Sequence, residues 1–137
     1  MSDTRAELAG SWLAKAHRDL LSAQRLASSV PPLLDTAAYH CQQAAEKSIK
    51  AFLVYADCRF GKMHDLEVLL SQAINLDPSF AACRNATRVL NPLATAYRYP
   101  GEFVEPDADE YREAYEAAAM VFDFIANRLP ELLPPDI

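Results

Sequence analysis

Apolar residues recur along this chain at spacings of three and four, and nowhere do they alternate in twos over a useful length, so the pattern predicts helices and no sheet. The first helix spans Thr4 to Ser29, with Leu13, Ala16, Leu20, Ala23 and Ala27 forming one apolar stripe. Pro31 and Pro32 end the connection after it. A second helix begins near Asp35, a residue type suited to an N-cap, and aligns Ala38, Gln42, Ala45, Ile49, Phe52 and Ala56 on one face. Gln42 is the polar exception there, so it is expected to be buried and to need a hydrogen-bond partner. The stretch CRFGKMH, residues 58 to 64, breaks the pattern around Gly61 and reads as a loop.

A short third helix covers Asp65 to Asn75, with Leu66, Leu69, Leu70 and Ile74 facing inward and Asp65 and Glu67 in the first turn, where the helix dipole favours acids. The fourth runs from Ser79 to Arg98, but Pro92 lacks a backbone donor and must kink it or restart it with Asn91 as the cap. RYPGEFVEPDA, residues 98 to 108, is a loop rich in proline and acid. Asp107 and Glu110 stand at capping-box spacing before a fifth helix, whose Tyr111, Tyr115, Ala118, Phe122, Ile125 and Leu129 form a long aromatic and aliphatic stripe.

The sequence has no internal repeat and no long linker, so the 137 residues, 51% of them hydrophobic, fit one domain over residues 1–137. The fold class is all-α, an up-and-down bundle of four long helices plus one short helix. The stripes of the first and fifth helices exceed what one small bundle need bury, which predicts a homodimer.

Charge sharpens this picture. The total of -6 divides into +2 over residues 1–98 and -8 over residues 99–137, which disfavours a nucleic-acid surface over the whole protein but leaves room for a basic patch on the first three helices. No apolar window is long enough to span a bilayer, and MSDTRAELAG lacks the regions of a signal peptide, so a cytoplasmic protein with no membrane partner is expected. Cys41, Cys58 and Cys83 have no metal or redox spacing and read as small apolar residues. His17, His40 and His64 match no ligand pattern, so neither a metal nor a cofactor is expected.

Candidate chemistry gathers in three places. In QQAAEKSIKAFL, residues 42 to 53, Gln43, Lys47 and Lys50 share a helical face away from the apolar stripe, where either solvent or a ligand satisfies them. Glu46 is placed to pair with Lys50 at i to i+4, and Lys62 adds charge from the loop. His64 precedes the start of the third helix, where backbone donors favour an anion; the alternative is a side-chain cap or a hydrogen bond to Gln42. Arg98 stands between Tyr97 and Tyr99, an arrangement that clamps a base or phosphate, or else offsets a helix dipole and pairs with Glu102. No phosphate loop or dinucleotide turn is present.

QQAAEKSIKAFL, then KMHDLEVLL, then YRYP, in this order between Trp12 and about Arg128, resembles the HEPN family of small helical proteins. The resemblance implies a homodimeric bundle of about five helices linked to nucleotides or RNA, a minimal nucleotidyltransferase partner, and a toxin–antitoxin pairing. One branch of that family cuts RNA without metal, using an Arg, four to six residues and a His on a helix, often with a Tyr two places on. Here Arg59 and His64 have that spacing, which makes a ribonuclease one alternative. The pair crosses a loop containing Gly61, however, and Leu66 stands in the Tyr position. The resemblance is closer to the branch without that motif, where the His before the third helix and the Arg-Tyr-Pro after the fourth line a nucleotide groove. It thus implies a nucleotide site of Gln43, Lys47, Lys50, Lys62, His64, Arg98 and Tyr99. A second alternative is a structural oligomerisation protein with no ligand.

Overall fold

The computed structural model describes residues 4–97, 100 and 105–133. Arg98, Tyr99 and Glu102, all named above, lie outside the described residues.

Five α-helices form, with no strand among the described residues: α1 (Thr4–Ser28), α2 (Leu34–Tyr55), α3 (Leu66–Leu76), α4 (Arg84–Leu90) and α5 (Ala108–Ala126). The fold is the all-α bundle that the periodicity predicts. Its fourth member is the departure, because the stretch expected as one long helix divides into a 3-10 segment at Pro78–Cys83, the short α4, and a second 3-10 segment at Asn91–Ala94. Pro78 and Pro92 each start a new segment because proline supplies no amide to the turn before it.

Helix α2 is the centre of the bundle and packs against α1, α3, α4 and α5. Small residues make this possible: Ala37, Ala38, Ala44, Ala45, Ser48 and Ala51 are buried on it, so neighbouring backbones approach from several sides. Helix α1 runs antiparallel to α2, since Asp19 meets His40 and Trp12 lies over Lys50. It also runs antiparallel to α5, through Gln24 with Tyr115 and His17 with Phe122. Leu13, Ala16, Leu20 and Ala23 of the predicted α1 stripe are buried. On α5, Ala118, Phe122 and Ile125 are buried, as is Leu129 just beyond its end, whereas Tyr111 and Tyr115 are half-exposed at its start.

The ends of the helices show which capping expectations hold. Asp107 and Glu110 form the reciprocal capping box before α5. Asp35 does not cap α2: the helix starts at Leu34, Leu33 occupies the cap with no side-chain bond, and Asp35 accepts from the amide of Thr36 inside the first turn. Asn91 does not cap its own segment either. Its Oδ1 accepts from the amide of Leu66 at 2.9 Å and its Nδ2 donates to Asp65 at 3.1 Å, so it closes the N-terminus of α3 from across the bundle. Helix α2 ends in a Schellman turn, with Asp57 at φ 58° and the Cys58 amide bonded to the Leu53 carbonyl at 2.8 Å. That turn sets the direction of the loop that follows, in which Gly61 takes a φ of 59°.

Cys41 and Cys83 lie in the core, as expected of small apolar residues, while Cys58 is half-buried at the loop. Burial, helped by the charge of Asp19, pushes the Cys41 thiol up to about 12; burial likewise takes Cys83 to about 11, against the opposing pull of Arg128. Both stay protonated and unreactive at neutral pH.

Candidate functional site

The polar side of α2 is not the solvated face that its spacing suggests. Lys50, expected outward, is 3% exposed. Its Nζ donates to Glu46 Oε2 at 3.0 Å and lies 5.5 Å from the ring centre of Trp12 and 5.1 Å from that of Phe60, which meet edge to face. Glu46 is buried too. The pair is therefore a desolvated ion pair rather than a surface i to i+4 contact, and the few tenths of a kcal/mol usual for the surface case do not describe it.

Glu46 organises everything around it. Gln42, buried as expected, finds its partner here, donating from Nε2 to Oε1 at 3.3 Å. Gln43 in turn donates to Gln42 Oε1 at 2.7 Å, which fixes its half-buried amide. His64 bonds Glu46 Oε2 through Nδ1 at 2.9 Å. Its partner is thus Glu46 and not Gln42, and with its side chain 70% exposed the far edge of the ring, carrying Nε2, is left to solvent. One buried carboxylate ties Gln42, Lys50 and His64 together, so the loop over residues 58–65 is held at both Phe60 and His64.

The anion site expected on the backbone donors of α3 is already filled. The amides of Glu67 and Val68 donate to Asp65 Oδ1, and that of Leu66 donates to Asn91. The protein's own side chains satisfy the donors that a phosphate would need. An anion at this end of the molecule must instead meet His64 and exposed Lys62.

A second carboxylate repeats the arrangement about two turns along α2. Asp19 of α1 is buried and receives Lys47 Nζ on Oδ2 at 2.7 Å and His40 Nδ1 on Oδ1 at 2.8 Å. Lys47, about a quarter exposed, is therefore a paired cation and not a free surface charge. Sequence reasoning missed both Asp19 and His40. The signal available was that Asp19 sits three residues after Ala16 and next to Leu20, on a stripe where an isolated acid requires a partner. His40, Gln43 and Lys47 then share one face of α2 at spacings of three and four.

Residues 58–64 form no helix, as the glycine predicts, and Arg59 is exposed in a depression with Arg5, Leu8, Asp57 and Phe60. Leu66, in the position of the ribonuclease tyrosine, is fully buried. Tyr97 lines a cavity of about 240 Å³ between α2 and α5 with Ala38, Glu110 and Glu113, and burial, then the charges of Glu110 and Asp107, raise its phenol above the ordinary value. Among the described residues, no group of three or more His, Cys, Asp or Glu side chains is placed to hold a metal ion. Among them, too, no helix is long and apolar enough to cross a membrane.

A family model described as the HEPN domain matches residues 9–129, from within α1 to just past the end of α5. The chain belongs to the HEPN domain family. Its fold is similar to the crystal structure of an archaeal HEPN homologue, with a TM-score of 0.69 at 22% identity over 88% of this chain and 97% of that one. No curated protein matches the chain. In HEPN terms, QQAAEKSIKAFL is the stretch of α2 that carries both the buried Glu46–Lys50 pair and Lys47, and KMHDLEVLL presents His64 on Glu46.

Proposed function

We propose that this HEPN protein binds a phosphate-bearing ligand, a nucleotide or RNA, beside the outer face of α2 and the loop over residues 58–65. The observation that carries this reading is His64: an imidazole anchored at Nδ1 by a buried carboxylate while its side chain stays 70% exposed. Lys62 supplies exposed charge, Lys47 and Gln43 line the adjoining face, and Lys50 acts indirectly by holding Glu46 and Phe60. Arg98 and Tyr99 belong to this proposal through the family likeness alone. As a HEPN module the chain works with a minimal nucleotidyltransferase partner in the cytoplasm, in a system of the toxin–antitoxin type.

Arg59 is exposed and shares no helix with His64, and Leu66, in the position of the ribonuclease tyrosine, is buried, which favours binding over RNA cleavage by Arg59 and His64. Calorimetric titration with ATP, GTP and a short single-stranded RNA tests the reading. Wild type is expected to bind at least one of them without cutting the RNA, and His64→Ala is expected to weaken binding by about 10-fold, the loss of one hydrogen bond to a charged group. Equal affinity of the two proteins removes His64 from the site. Robust cleavage abolished by His64→Ala promotes the ribonuclease reading.

The homodimer remains part of the proposal. Leu21 of α1 and Met120 of α5 are each 37% exposed on helices that pack together, and Leu8 is 53% exposed nearer the start of α1. Light scattering after gel filtration should return twice the chain mass at tens of micromolar. A monomer at that concentration sinks the claim.

A further inference from the structure

The groove between α3 and α4 shares no residue with the site around Glu46 and His64. Helix α3 lines it with Glu67, Leu70 and Ser71 and α4 lines it with Arg84, Thr87 and Arg88, enclosing a cavity of about 140 Å³. Each set falls at i, i+3 and i+4, one face of a helix. Leu70 and Thr87 are buried and form the floor, while Glu67, Ser71, Arg84 and Arg88 are exposed at the rim. Asn91, just beyond α4, closes the start of α3, so the two helices run antiparallel and the groove is tied together at that end. We propose that this groove docks the acidic segment of a partner protein, one Asp or Glu side chain of which enters between Arg84 and Arg88.

The two arginines carry like charges one turn apart on a helix of seven residues, a spacing that weakens the helix and so is not explained by its folding. Neither forms an ion pair with another described residue, whereas Arg112 pairs with Asp109 and Arg128 with Asp77. The acids at the two ends of α3 are committed elsewhere. Asp65 accepts from the amides of Glu67 and Val68 and from Asn91, and Asp77 accepts from Ser79 and Arg128. Glu67 borders the groove without pairing with either arginine. The Ser71 hydroxyl donates to the Glu67 carbonyl at 2.9 Å and that of Thr87 to the Arg84 carbonyl at 3.1 Å. With both hydroxyl protons spent inside their own helices, the guanidinium groups are the donors that the groove offers to an acceptor.

Size and charge select the ligand. A cavity of about 140 Å³ is well below the roughly 300–1,000 Å³ of pockets that enclose a small molecule, so it takes one group projecting from a larger ligand. A carboxylate stands off from its backbone on a side chain, while a phosphodiester lies within its backbone between two sugars and does not project. Two guanidinium charges against the Glu67 carboxylate leave one net positive charge. A carboxylate neutralises it, whereas a phosphate dianion exceeds it and also meets Glu67.

Nitrogen-15 NMR of the arginine Nε–Hε signals, assigned with Arg84→Gln and Arg88→Gln, reads this groove directly and independently of His64. A peptide of about ten residues with glutamates among alanines should move the Arg84 and Arg88 signals together and to saturation, and the other arginines less. Its glutamine counterpart should move neither. Each single variant should weaken binding by about 5-fold, the upper end for an exposed ion pair, and the double variant should abolish it. The double variant should melt no lower than wild type, because the like-charge pair is gone. Glu67→Gln should strengthen binding of a phosphoserine counterpart more than that of the glutamate peptide. No movement at about 1 mM peptide, or equal movement of every arginine, overturns the groove as a docking site. A lower melting point of the double variant makes the arginines structural and overturns it as well. If the phosphoserine peptide or a single-stranded RNA binds wild type more tightly through the same two signals, the carboxylate is overturned as the ligand.

Discussion

Glu46→Ala is expected to cost about 3–5 kcal/mol of folding stability, the range for breaking a buried ion pair by removing one partner. The variant leaves the Lys50 ammonium 3% exposed with no carboxylate, and only the faces of Trp12 and Phe60 remain beside it. It also strips Gln42 and His64 of their shared acceptor. Lys50→Met in the Glu46→Ala background should recover most of the loss, since a hydrophobic residue of similar length fills the space between Trp12 and Phe60. Urea unfolding followed by circular dichroism measures both variants. A loss below about 1 kcal/mol for Glu46→Ala would show that Lys50 rehydrates by swinging past Phe60, and the buried pair would then not be what holds the loop.

Phe80→Ala should be about as severe, at roughly 3–5 kcal/mol, because it empties a fully desolvated site. Phe80 has no exposed surface and packs tilted against Phe52 of α2 at 4.4 Å and edge to face with Phe124 of α5 at 4.9 Å between ring centres. It is the residue through which the 3-10 segment before α4 reaches the core. Arg128 closes the outside, with its guanidinium 3.7 Å from the Phe124 ring centre and hydrogen bonds to Ser79 and Asp77. Ser79 donates from its hydroxyl and its amide to Asp77 Oδ1, and these bonds first, then the one from Arg128, hold the Asp77 carboxyl below its ordinary range. Phe80→Leu should cost less than alanine, because it leaves a smaller void. Equal midpoints for wild type and Phe80→Ala in chemical denaturation would contradict this packing.

Where chemistry is local, it was legible in the chain. The apolar stripes of α1, α2, α3 and α5 follow a period that only a helix satisfies, and the Asp107–Glu110 capping box and the loop at Gly61 depend on residues within a few positions of each other. Gln42 could be assigned to the core because a polar residue on an apolar stripe has to be buried, although its partner could not be named in advance. The motifs of α2, the His64 loop and the segment after α4 were enough to indicate the HEPN family, whose model spans residues 9–129.

The candidate site was less legible, because burial of a charged residue is decided by what packs over it. Lys50 sits on the side of α2 opposite its stripe, and only the arrival of Trp12 from α1 and Phe60 from the loop turns that side into interior. The same holds for Asn91, which caps α3 because the end of α4 docks beside Asp65, 26 residues away in sequence. Asp19 meets His40 and Lys47 across 21 and 28 residues, a pairing set by the antiparallel register of α1 and α2. The chain by itself thus determined the helical stripes of α1, α2, α3 and α5, the cap of α5 and its family through contacts within one or two turns. The tertiary structure alone decided which charges are buried, and therefore which imidazoles are held in place to meet a ligand, because desolvation depends on neighbours that are remote in sequence.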